Sequence, residues 1–318
     1  MHAAAINLRG GVSPRNTRLR GQSIIEYVLI IAVIGLVIVF AGPGVAGAIR
    51  NQFNLVGNTV NSGTNGGTEG GGASGSGSTG AGFSTVQAAI AKDAKDWTLG
   101  EQKAVAEDIA AKGEASPAYA KAKAAMDAGT KFSMKLTDGQ TLEYRIIGIN
   151  HDDLADGSGK AGLTFETTND AMGMTRMNVT HDNADGWEKS ELRGRLNSGD
   201  LWSLLPSDFQ SRMKAVAKLT DNKGSGSVGT PSATTDKVFL LSSTEVWGDL
   251  DKDGTQYEYY KSKGVTELSN SEASLGFNHW TRSVDPSNSM MFRCVNFSGR
   301  RGYGYAANAN YVSPAFCF

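Results

Sequence analysis

Several things are scarce in this sequence. Its 318 residues include only two cysteines, Cys294 and Cys317, which rules out a disulfide-rich scaffold and leaves room for one bridge. Net charge is almost absent, with 31 basic residues against 32 acidic ones. Nothing beyond residue 21 forms a basic face, which argues against a nucleic-acid partner. His151, His181 and His279 lie far apart, with no metal-ligand spacing between them. No Ser-His-Asp arrangement and no phosphate loop can be argued. What is abundant is glycine, 40 residues of it, much of it concentrated in one segment.

The near-zero charge hides an asymmetry. Residues 1–21 carry Arg9, Arg15, Arg18 and Arg20 and no acid, so the remainder is acidic. The apolar run "GQSIIEYVLIIAVIGLVIVF" follows. From Gln22 to Ile49 the segment is long enough for a membrane-spanning helix of roughly 20 residues or more, with Pro43 kinking or ending it. Arginines before the run predict a cytoplasmic N-terminus and an external remainder. Glu26 is the anomaly, because a carboxylate in an oily helix is costly without a partner. A secretory signal has no use for it, and would end in a small-residue cleavage site beyond the apolar run.

Gly21, Glu26 and Tyr27 resemble the Gly-x-x-x-x-Glu-Tyr processing motif of Flp-type pilins, the tight-adherence subclass of type IV pili. The resemblance covers about residues 15–60. It implies that a membrane prepilin peptidase cuts after Gly21 and leaves Gln22 as the first mature residue. Glu26 of one subunit would then meet the new amine of a neighbouring subunit, turning a buried charge into a buried pair. The plainer alternative is a Glu that snorkels to the interface near the helix start. Flp-type pilins usually stop soon after this helix, and here more than 230 residues follow the linker.

Residues 61–84, "NSGTNGGTEGGGASGSGSTGAGFS", cannot bury a core and read as a flexible tether averaging roughly 25–30 Å. Residues 85–129 read as an alanine-rich helical collar or stalk, with Thr98 and Glu101 at capping-box spacing. From residue 130 the pattern changes. "KFSMKLTDGQTLEYRIIGI" is a hairpin around Asp138-Gly139. "GWEKSELRGRLNSGDLWSLLPSDFQSRMKAVAKLT" reads as helices, "DKVFLLSSTEVWG" as a buried strand and a turn, and the last forty residues as short strands.

Trp187-x-x-Ser190-x-x-Arg193-x-x-Leu196-Asn197, the run Asp236 to Ser242, Trp280-Thr281-Arg282-Ser283 and Pro314-Ala315-Phe316 resemble an uncharacterised bacterial surface-domain family. Its pattern is similar to the C-type-lectin-like fold group, which includes formylglycine-generating enzymes. The likeness covers about residues 130–318. Thr281 stands where a second bulky residue is often found, and Ser313 where an arginine often precedes the proline.

Three sites follow from the residues. Cys294 and Cys317 lie in strand-like runs, and a bridge between them would close a loop of about 24 residues and stabilise by roughly 3 kcal/mol. Buried free thiols are the alternative. Asp249, Asp251 and Asp253 match the first half of a calcium loop, but Tyr260 takes the twelfth position where a bidentate Glu belongs. A solvated acidic turn is the alternative there, and no other cofactor is implied. The stretch "FRCVNFSGRRGYGYAANANYVSP" sets Arg293, Asn296, Arg300, Arg301, Tyr303, Tyr305, Asn308, Asn310 and Tyr311 among glycines. Rigid aromatics with adaptable Asn and Arg donors suit a recognition surface, and an ordinary Gly/Asn-rich hairpin is the alternative.

The expected fold class is therefore α+β. It comprises a single N-terminal transmembrane or pilin helix (22–60) behind a leader (1–21), a Gly/Ser linker (61–84), a helical collar (85–129) and a C-type-lectin-like mixed α+β domain (130–318). The expected function is non-enzymatic display of a lectin-like domain at the cell surface or on a pilus, for adhesion or capture of a glycan or protein ligand. Its expected partners are other pilin subunits, the prepilin peptidase and the membrane. The alternatives are a structural major pilin with a spacer domain and a membrane-anchored enzyme on the same fold.

Overall fold

A capping box starts the longest described helix. The Thr98 N–H donates to Glu101 at 2.6 Å, and the Glu101 N–H donates back to the Thr98 hydroxyl at 3.3 Å. The computed structural model describes residues 80–248 and 251–318, which fall in one compact unit, Gly77–Phe318. Three helices come first: α1 (Gly80–Ile90), α2 (Leu99–Lys112) and α3 (Tyr119–Asp127). Val105, Ala106 and Ile109 of α2 are buried, and so is Trp97 just before it. The Trp97 ring stacks on Phe132 with centroids 6.2 Å apart.

The first sheet has the strand order β1-β2-β3-β12-β7. Strands β1 (Lys131–Lys135) and β2 (Thr141–Ile149) form the hairpin expected at Asp138-Gly139, in register Lys131↔Arg145 to Lys135↔Thr141. Gly139 takes φ 89°, which favours glycine in that turn. Strands β3 (Leu163–Thr167), β7 (Val238–Leu240) and β12 (Pro314–Cys317) are buried throughout, and β12 runs antiparallel between the other two. Residues 314–318 are therefore core. Phe316 stacks on Phe165 at 5.3 Å and meets Phe209 edge-on at 4.8 Å. Truncating such a ring to Ala costs about 3–5 kcal/mol.

Four short helices follow β4 (Met174–Thr175): α4 (Gly186–Lys189), α5 (Glu191–Asn197), α6 (Asp200–Ser203) and α7 (Ser207–Arg212). Helical structure was expected to run on to Thr220, but β5 (Val216–Thr220) pairs antiparallel with β6 (Ser232–Asp236) instead. Alternating burial along β5 matches a half-covered strand. After β7 the expected turn is a helix, α8 (Ser243–Trp247), with a second capping box from Ser242 and Glu245. Helix α9 (Glu258–Ser262) follows.

The second sheet has the order β10-β9-β8-β11-β4, built from β8 (His279–Val284), β9 (Met291–Val295), β10 (Arg301–Tyr305) and β11 (Asn310–Tyr311) with β4. Asn183 holds the β8–β9 turn by donating to the carbonyls of Asn288 and Met291 at 2.8 and 2.7 Å.

Three expectations need correction. The fold is mixed α+β, and the expected membrane helix is not among the described residues. Among the described residues no helix is long and apolar enough to cross a membrane. The longest, α2, has 14 residues and is studded with Glu, Lys and Asp. The segment 22–60 that prompted the expectation lies outside the described residues. Residues 80–84, expected in the tether, open α1. The collar is not a separate stalk either, because Val86, Ala89 and Trp97 share one core with Phe132 and Tyr144. A Cβ on Gly162, next to β3, would come within 1.8 Å of the Ala106 carbonyl of α2.

Candidate functional site

Strand β10 reads Arg-Gly-Tyr-Gly-Tyr, and alternation sends its two residue types to opposite faces. The glycine face is closed. A Cβ on Gly304 would meet the Trp280 ring at 2.5 Å, and one on Gly302 would meet the Cys294 sulfur at 2.9 Å. Trp280 is itself fixed, being buried and donating from Nε1 to the Thr175 carbonyl at 2.8 Å. The opposite face presents the tyrosines. Tyr303 is 48% exposed and Tyr305 40%. Packing Gly304 against Trp280 and Gly302 against Cys294 lets β10 lie close to the core while two rings remain in solvent.

Two arginines flank Tyr303. Arg293, its cross-strand neighbour on β9, lies 5.9 Å from the ring centroid, and Arg301 lies 6.0 Å away. Both distances are at the outer range of cation–π attraction. Arg301 pairs with Glu267. Arg293 is buried and pairs with Asp251 at 2.9 Å, while its Nε and Nη1 have no hydrogen-bond partner among the described residues. Burial raises the Asp251 carboxyl above its usual range, against the pull of Arg293. At the far end of β10, the exposed His181 meets Tyr305 edge-on at 5.2 Å. The Ala307 N–H donates to His181 Nδ1 at 3.3 Å.

The expected recognition residues are thus divided. Tyr303, Tyr305, Arg300 and Asn308 are exposed, and Arg301 and Tyr311 are half-buried. Asn296 shapes the β9–β10 turn, its Oδ1 accepting from the Ser298 and Arg300 N–H groups at 2.9 Å each. Asn310 is buried in the β11–β4 pair, and the Tyr311 ring tilts against Phe277 at 4.9 Å. His181 and Trp280 were missed as site residues. The alternation of glycine with tyrosine was the available signal for a buried partner under β10, but it does not say which residue.

The expected disulfide is corrected, and the acidic turn is described only in part. Cys294 and Cys317 are free, buried thiols in strands of different sheets. Cys317 lies beside Thr164 and Asp152, and Cys294 beside Gly302. Burial pushes the Cys294 thiol up to about 11. Asp249 lies outside the described residues. Asp251 is turned to Arg293, and Asp253 accepts from the Ser283 hydroxyl and the Thr244 N–H. Protein donors take both Asp253 oxygens and Asp251 Oδ1, while Asp251 Oδ2 has no hydrogen-bond partner among the described residues. Among the described residues no group of three His, Cys, Asp or Glu side chains is placed to hold a metal.

A second polar cluster lies in the core. Lys218 on β5 contacts Asp152, Glu245 and the Tyr257 hydroxyl. Burial disfavours its charge, but Asp152 and Glu245 outweigh burial and hold Lys218 above the usual lysine value. Arg282 on β8 donates to both Glu245 oxygens, to Thr220 Oγ1 and to the carbonyls of Leu240, Leu219 and Asp253. Every nitrogen of this guanidinium has a partner. Burial opposes Glu245 ionisation, and Arg282 with Lys218 overcomes it, so the carboxyl titrates below its usual range. His279, on the same strand as Arg282, is pushed by burial down to about 4 and is neutral at pH 7. The cluster ties β5, β7, β8 and α8 together and serves as a frame for the sheet that carries the tyrosines.

Residues 163–318, a little under half of the chain, match a family described as a domain of unknown function, DUF6273. The match begins at β3 and includes the whole tyrosine-bearing sheet. No curated protein and no solved structure matches the chain.

Proposed function

We propose that the chain is a pilin-like protein of the cell surface whose Gly77–Phe318 unit binds a glycan or protein ligand through the tyrosine face of β10. One observation carries the reading. Tyr303 and Tyr305 stand exposed on one face of a strand whose other face is closed against Trp280 at Gly304 and against Cys294 at Gly302. Exposed aromatics on a rigid support give contact area with little loss of conformational freedom on binding. Arg300 and Asn308, exposed at the two ends of β10, supply hydrogen-bonding groups around the rings. Recognition rather than catalysis is the reading, because the core cluster of Lys218, Asp152, Glu245 and Arg282 is consumed by internal pairs.

The surface and pilus part rests on Gly21, Gln22, Glu26 and Tyr27, which lie outside the described residues. Processing by a prepilin peptidase and packing against other pilin subunits belong to this part of the proposal. Intact mass of the mature protein tests it: the chain should begin at Gln22, and one that retains Arg20 refutes the processing. For the ligand, the test is a glycan and host-protein array probed with residues 77–318. The fragment must start there because α1 belongs to the core. Binding that disappears in Tyr303→Ala supports the proposal, whereas binding that survives loss of both tyrosines refutes it.

A further inference from the structure

We propose that the open edge of β10 pairs with β10 of a second copy of this chain, antiparallel and centred on Tyr303. The inner edge fixes the phase of the strand. The Asn296 N–H donates to the Arg300 carbonyl at 2.8 Å, and the Ala306 N–H to the Met290 carbonyl at 2.8 Å. Between these bonds the register pairs Gly302 with Cys294 and Gly304 with Phe292. In an antiparallel ladder hydrogen-bonded pairs alternate, so Gly302 and Gly304 direct their backbone groups to β9. Arg301, Tyr303 and Tyr305 therefore direct theirs outward. The Tyr305 carbonyl accepts the Asn308 N–H at 2.9 Å, and the other outward groups have no partner among the described residues.

Such an edge is normally blunted by lysine, proline, a bulge or a covering segment. Strand β10 contains neither lysine nor proline, and its five pairs run without a register shift. β10 is also the terminal strand of its sheet.

The sequence of the edge fits itself. Laid antiparallel about Tyr303, Arg301 faces Tyr305 of the second copy, Tyr303 faces its equivalent, and Gly302 faces Gly304. Every outward backbone group then meets an outward group, with the Tyr305 carbonyl shared between the second copy and the Asn308 N–H. Guanidinium meets phenol ring, a favourable cross-strand pair, and no two arginines are directly opposed. A slip of one residue would set outward groups against the glycines, whose backbone groups are already used. A slip of two removes one pair and brings Arg301 against Tyr303 alone. This match of the edge to itself, with each arginine set against a phenol ring, favours a second copy over an unrelated extended peptide. Leu268, 97% exposed, follows the Glu267 that grips Arg301, so an apolar side chain stands in the loop tied to the same edge. The contact is isologous and closes on itself as a two-fold dimer, joining two five-stranded sheets into one. It depends on the strand edge and not on what the tyrosine rings bind.

Sedimentation equilibrium of residues 77–318, from micromolar to millimolar, tests the proposal. A monomer–dimer equilibrium is expected, and a monomer throughout overturns it. Tyr303→Cys tests the register without native thiols in play, since Cys294 and Cys317 are buried. Hydrogen-bonded partners lie with Cα atoms about 5.5 Å apart, inside the range a disulfide spans. Under mild oxidation Tyr303→Cys should form covalent dimer at least tenfold faster than Val228→Cys, a control at a position 74% exposed. Equal rates overturn the register. Tyr303→Lys, which sets two ammonium groups opposite each other, should abolish the dimer with the melting temperature unchanged. A dimer that persists in this variant overturns the proposal as well.

Discussion

Arg282 on β8 and Arg293 on β9 are both buried guanidiniums in the same sheet, and their surroundings could hardly differ more. Arg282 has a partner for every nitrogen and a carboxylate gripped by two of them. Arg293 has one carboxylate oxygen, on Asp251, and two nitrogens without a partner. One is a strut whose charge is fully compensated. The other is held at the base of an exposed tyrosine, with two buried nitrogens left without a hydrogen bond. The difference separates a fully paired strut in the core from an under-satisfied arginine beneath the tyrosine face.

The largest expected effect is on the frame. Glu245→Ala leaves Lys218 and Arg282 buried without their shared carboxylate and should cost about 3–5 kcal/mol in chemical denaturation. Asp251→Ala removes the partner of an arginine already under-satisfied and should cost only about 1–3 kcal/mol. Equal losses would erase the contrast between the two arginines.

Next comes the floor of the tyrosine face. Gly304→Ala forces a Cβ against the Trp280 ring, and overpacking of this kind costs about 1–3 kcal/mol. The variant should also weaken ligand binding, because β10 must move for the methyl group to fit. Unchanged melting and unchanged binding together would show that Trp280 does not position the strand.

A smaller effect concerns pH. His151 stacks on Tyr257 and bonds to Glu258 at 3.0 Å. Burial works against its protonation, but Glu258 and Asp152 prevail and raise its titration point above 6.5. A group whose folded pKa is raised contributes stability fully below its unfolded value and loses it as pH climbs through the folded value. Stability should therefore fall as pH rises above 6.5, and Glu258→Gln should flatten that slope in melts across the range. Since Glu258 is partly exposed, the slope is modest and is screened by salt. An identical slope in the variant would remove Glu258 as the cause. The smallest effect on stability is expected at the surface itself, where Tyr303→Ala should change it by no more than about 0.5 kcal/mol.

Local chemistry was legible where one short stretch decides the structure. Asp138-Gly139 makes its hairpin, and Thr98 with Glu101 makes its cap. Ser242 and Glu245 carried the same cap spacing but stood after a buried strand, and the apolar run masked the helix start. Val216 to Thr220 continued an apparently helical stretch, and only pairing with β6 makes it a strand. Lys218 shows the limit most clearly. Nothing in "VAKLT" marks its lysine as buried, because its partners Asp152 and Glu245 come from distant positions. Composition singled out the candidate recognition segment, yet it could not separate Tyr303, which is exposed, from Asn310, which is locked in a strand pair. The cysteines misled because strand-like context is shared by neighbouring and by separate strands.

The central claim is that binding and stability reside in different regions. Its most direct test is a paired measurement on residues 77–318 carrying Tyr303→Ala and Tyr305→Ala: array binding and thermal melting, each against the unmodified unit. The account predicts lost binding with a melting temperature close to that of the parent. Retained binding, or a loss that comes only with a collapsed melting temperature, would contradict it.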